Sequence, residues 1–83
     1  MNSRKNELME NLKTNGASEN FINDLLKAKS WQEEKKADFV NWCCEKIQWL
    51  SAQPCLDNDG KKALELVKAQ HELYLICLTE VED

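Results

Sequence analysis

Breakers are scarce in this chain: two glycines and one proline in 83 residues, placed so that the segments 31–52 and 61–83 contain neither. A stretch of that length with recurrent apolar residues and no breaker reads as a helix of more than 20 residues, about 30 to 35 Å at 1.5 Å per residue. The residue before Pro54 is pushed away from helical angles, so one long helix ends near Ala52 and the next begins near Asp57–Asp59. Two such helices joined by so short a turn predict an antiparallel hairpin.

The first thirty residues divide into shorter pieces. Leu8, Met9 and Leu12 recur at helical spacing ahead of Gly16, a residue that commonly stops a helix. Ser18 then stands as an N-cap before Phe21, Ile22, Leu25 and Leu26, which form one face. Ser30-Trp31-Gln32-Glu33 has the order of a capping box and places the start of the first long helix at Trp31. The expected architecture is an all-α small helical bundle, one domain over residues 1–83. Helices at about 3–15, 18–29, 31–52 and 58–81 make two short N-terminal helices packed on a long antiparallel helical hairpin, which supplies most of the core. Glu80, Glu82 and Asp83 put negative charge at the negative end of the last helix dipole, so that end is expected to fray.

A chain this small buries only about 60 to 65% of the surface its unfolded form exposes, so a disulfide, a metal or a partner is expected to supplement its core. Cys43, Cys44, Cys55 and Cys77 are even in number, but two are adjacent within a helical pattern and no secretory-type segment precedes them. They read as reduced thiols in a cytoplasmic protein. His71 is the single histidine and no Cys-x-x-Cys occurs, so no structural zinc and no cofactor is expected. Association with a partner remains.

Charge narrows the partner. The net charge is −4, with no basic run longer than two residues, which disfavours direct binding to nucleic acid or an anionic membrane. The excess lies in residues 52–83, where Lys61, Lys62 and Lys68 face seven acids. No apolar run approaches the roughly 20 residues that cross a bilayer.

Catalytic patterns fail one by one. Asp57-Asn58-Asp59-Gly60 resembles a calcium loop until the register is set. With Gly60 at the sixth position, Cys55 falls where the first carboxylate belongs and Leu66 where the bidentate glutamate belongs. His71 and Cys77 are six apart and lie on different sides of one helix, so they form no local nucleophile–base pair. The chain is expected not to be an enzyme.

What the two long helices do carry is surplus apolar surface. On the first, Phe39, Val40, Cys43, Ile47 and Leu50 form one face, and Trp31, Trp42 and Trp49 form a stripe beside it, bordered by Asp38 and Glu45. On the second, Leu66 and Leu73 flank the core face and Ile76 lies nearly opposite it. Tryptophan is a preferred interface anchor, and this much apolar circumference exceeds what the monomer can cover. These eight residues, Trp31, Trp42, Trp49, Asp38, Glu45, Leu66, Leu73 and Ile76, are the expected partner-binding set. The expected function is a protein–protein interaction module, an inhibitor, adaptor or accessory factor that also forms a homodimer. The alternative is a small-molecule binder, for a metabolite or nucleotide, with its pocket near His71. That residue projects among Leu64, Val67, Tyr74, Leu75 and Leu78, where a polar group needs a partner.

Overall fold

The computed structural model describes residues 3–79, and the expected fraying beyond Thr79 lies outside them. Within this range the fold is all-α: α1 (Ser3–Thr14), α2 (Glu19–Leu26), a 3₁₀ turn (Ala28–Ser30), α3 (Glu33–Ser51) and α4 (Asn58–Thr79).

The predicted stops act as the sequence implies. Gly16 adopts φ +95°, its N–H reaches Lys13 O and the next N–H reaches Leu12 O, so two orphaned carbonyls of α1 are satisfied by a left-handed glycine. The Ser18 hydroxyl accepts from Phe21 N at 3.1 Å and caps α2. Asp57 Oδ1 accepts from Gly60 N at 2.7 Å and opens α4.

The junction between α2 and α3 departs from expectation. Ser30 is no N-cap: its hydroxyl donates to Lys27 O within the 3₁₀ turn, and α3 starts after Gln32, whose side chain makes no capping bond. Trp31 therefore sits in extended backbone ahead of the helix and out of register with Trp42 and Trp49. The second helix correspondingly stops at Leu26 rather than continuing to Lys29.

The core spans both the short helices and the hairpin. Its main buried cluster joins Leu8 and Leu12 of α1, Ile22 and Leu25 of α2, Ala28, and Ala69, Leu73, Tyr74 and Cys77 of α4. The hairpin's share of this cluster comes from α4, with Phe39 and Val40 of α3 packed against its edge; Cys43 and Leu50 of α3 and Val67 of α4 are buried outside it, so among the described residues the hairpin carries most of the buried hydrophobic side chains, as expected. The leucine and isoleucine stripes of the short helices share this cluster with Ala69, Leu73, Tyr74 and Cys77 of α4, whereas α3 leaves Trp42 and Trp49 exposed. Leu12, Ile22, Leu25 and Leu73 are essentially inaccessible to water, each worth about 1.5 to 3 kcal/mol of transfer free energy. A charged clamp closes the outside of this layer, where Arg4 Nη2 donates to Glu72 Oε1 at 2.8 Å and Nε donates to the other carboxylate oxygen. Helix α4 is thus the shared wall, with α1, α2 and the 3₁₀ turn on one side and α3 on the other.

Candidate functional site

Along α4 the residues Ala63, Leu66, Gln70, Leu73 and Cys77 follow a 3-4-3-4 spacing, the seam of a helix that is packed by others along one line. The upper part of this seam, Leu73 and Cys77, is buried in the main cluster. Its lower part opens into a groove of about 350 Å³ lined by Trp42, Lys46, Trp49 and Leu50 of α3 and by Ala63, Leu66, Val67 and Gln70 of α4. No residue of α1, α2 or the 3₁₀ turn contributes to its walls. The hairpin outruns the short helices, and the core continues past them as an uncovered channel.

Two features make this groove unlike ordinary surface. Trp42 and Trp49, one heptad apart on α3, are 45% and 63% exposed, although tryptophan is costly to leave in water. Beside them Gln70 is only 7% exposed, and its Oε1 is buried with no hydrogen-bond partner. A buried acceptor left unsatisfied costs about 1 to 3 kcal/mol. The groove thus combines excess apolar surface with an unsatisfied acceptor buried in one of its lining residues.

The expected partner-binding residues separate into three groups. Trp42, Trp49 and Leu66 come together as walls of the groove. Asp38 and Glu45 are exposed on α3 and do not line it. Trp31, Leu73 and Ile76 belong to the folded layer instead. Leu73 is 0% exposed, so it is core rather than surface. Ile76, expected to be wet, is half-buried against the main cluster. Trp31 lies against Phe39 and Tyr74 with ring centroids at 5.5 and 5.8 Å, and its Nε1 donates to Asp24 O at 3.1 Å. Its other face carries the Lys35 ammonium, 4.3 Å from the ring centroid. The stripe of three tryptophans is therefore two groove residues and one structural residue.

His71 is half-buried and lines neither this groove nor the open cleft bounded by Glu33, Lys36, Val40, Tyr74 and Leu78. A pocket built on His71 is not formed by either. The polar group that falls on the apolar seam is its neighbour Gln70, while Leu75, expected on that face, is 45% exposed. Helix α4 carries aliphatic residues almost all round, so periodicity alone set its inward arc about one residue, or 100°, off. The 3-4 spacing of residues 63 to 77 is the signal that would have placed Gln70 correctly.

The thiols divide in the same way: Cys43 and Cys77 are buried, Cys44 and Cys55 exposed. Burial, with a smaller contribution from Cys44, pushes the Cys43 thiol up to about 11, which removes it as a nucleophile near neutrality. Burial also raises the Tyr74 phenol, whose hydroxyl stands 3.5 Å from Lys36 O. Among the described residues no group of three or more His, Cys, Asp or Glu is arranged to hold a metal ion, and no helix is long and apolar enough to cross a membrane. Comparison of the chain with protein-family models, with curated proteins and with solved structures finds no match to any of them.

Proposed function

We propose that this chain is a non-enzymatic protein-interaction module, an inhibitor or adaptor, which receives an apolar helix of another protein chain in the α3/α4 groove. The observation that carries this reading is the continuity of the groove with the core. The same α4 seam that is buried at Leu73 and Cys77 is only half-buried at Ala63 and Leu66, where it lines the groove. A helix laid there would extend the packing already present one layer further and cover both exposed indoles. The groove is lined by one cation and no carboxylate, and the net charge of −4 disfavours nucleic acid as its occupant.

The test is affinity capture from the native cell extract with the wild-type chain and with the Trp42→Ala/Trp49→Ala double variant. The variant keeps its melting transition and loses the captured protein, because an anchoring tryptophan is worth about 2 kcal/mol or more at an interface. Identical captures by both chains contradict the proposal.

A further inference from the structure

Burial is spread unevenly along the chain. The short helices meet the α4 stretch from Ala69 to Cys77 in the main cluster. Between Cys44 and Leu66, every residue of which is described, Leu50 alone is buried, and it keeps 8% of its surface exposed. This stretch is the lower hairpin: the end of α3, the turn and the start of α4. Leu66 is its one residue packed against the main cluster. A segment that buries so little apolar surface has little to offset the backbone freedom lost on ordering, which is the physical mark of a unit that opens before the rest unfolds. We infer that the lower hairpin, residues 44–66, opens as one cooperative unit while the upper layer stays packed, and that this equilibrium gates the α3/α4 groove.

Three local features set the limits of the unit. At its upper edge the rings of Trp31, Phe39 and Tyr74 stand 5.0 to 5.8 Å apart and hold the first half of α3 on α4, so opening stops near Cys43. At the turn, Gly60 lies where a Cβ would come within 3.1 Å of Leu56 Cδ2 and 3.2 Å of Asp57 Oδ1. The first turn of α4 therefore carries the residue type that regains most backbone freedom on opening. The third feature is Gln70, whose Oε1 is buried without a partner inside the closed chain. Lys46, Trp49 and Leu50 share the groove lining with it, and when they lift, water reaches the carbonyl. The closed form thus bears a desolvation penalty that the open form lacks. Lys46, Trp49, Leu50, Ala63 and Leu66 all line the groove, so it exists only while the unit is closed.

Amide hydrogen exchange of the purified chain, followed by NMR at urea concentrations below the unfolding transition, tests this. Amides 47–51 of α3 and 62–66 of α4 are expected to share one protection level and a shallow urea dependence. They are expected to be at least about tenfold less protected than amides 73–77, which wait for global unfolding and its steeper dependence. Gln70→Met, an apolar side chain of similar length, is expected to raise protection at 47–51 by about 5- to 100-fold, because burial of the carbonyl no longer opposes closing. Ile22→Val, in the main cluster, is expected to lower protection at 73–77 by about 2- to 10-fold and to leave 47–51 unchanged, because its contacts persist in the open form. The measurement is made without a partner, so its failure leaves the docking reading intact. Equal protection and urea dependence in the three segments, a gradient that falls smoothly toward the turn, an Ile22→Val variant that lowers 47–51 in step with 73–77, or a Gln70→Met variant that leaves 47–51 unmoved overturns the inference.

Discussion

The indole of Trp31 meets the ring of Phe39 edge-on, at 5.5 Å between centroids and 76° between planes, and Tyr74 of α4 lies 5.8 and 5.0 Å from these two rings, so the three together pin the start of α3 to the α4 wall. Edge-to-face pairs of this kind add about 0.5 to 1.5 kcal/mol to the area they bury. Trp31 is also bonded to Asp24 O of α2, so one side chain holds the junction of three elements. Trp42 and Trp49 do none of this.

Truncation separates the two kinds of tryptophan. Trp31→Ala and Leu73→Ala are each expected to cost about 2 to 5 kcal/mol in urea unfolding, a large fraction of the stability of so small a domain. Trp42→Ala and Trp49→Ala are expected to cost under about 1 kcal/mol in the dissociated chain, because their side chains are exposed there. A large loss in the latter pair at concentrations where the chain is monomeric would place them in the core.

Thiol reactivity follows burial. At neutral pH Cys44 and Cys55 are expected to be alkylated readily, and Cys43 more than about 100-fold more slowly than either until the chain is unfolded, since both its high pKa and its enclosure suppress the thiolate. Mass mapping of partially alkylated protein checks this. Equal labelling of Cys43 and Cys44 would contradict the burial of the α3 inner face.

The Arg4 clamp gives stability a pH dependence of known sign. Its hydrogen bonds hold the Glu72 carboxyl below the usual glutamate value. The folded form is thus the stronger acid, and the associated stability is present above the unfolded glutamate pKa, about 4.3, and lost as pH falls through the lower folded value. Glu72→Gln is expected to flatten this acid limb while leaving the slope above about pH 5 unchanged. Both side chains are substantially exposed, so the effect is small and weakens with added salt. Superimposable acid limbs for the two proteins would show that the clamp contributes nothing.

Which parts of the fold were legible follows from which signals are local. Gly16, Ser18 and Pro54 act on their own backbone, so the ends of α1 and of the hairpin turn could be read directly. Ser30 offered the same kind of signal and misled, because its hydroxyl had a nearer acceptor in Lys27 O. That single displacement took Trp31 out of helical register and split the tryptophan stripe. The inward arc of α4 was not legible from its aliphatic residues, which cover too much of its circumference. It is decided by where α1 and α2 dock, a long-range choice that brings Ala69, Leu73, Tyr74 and Cys77 into one buried cluster. At the candidate site the exposed indoles were readable from Trp42 and Trp49. Gln70 was hidden beside the more conspicuous His71.

The most direct test of the groove as a docking surface is site-specific photo-crosslinking in the native cell extract, with benzoylphenylalanine in place of Lys46, which lines the groove, or of Lys68, which is exposed and does not line it. A discrete crosslinked product is expected from position 46, to a second copy of the chain or to another protein, and none from position 68. Equal products from the two positions, or none from position 46, would contradict it.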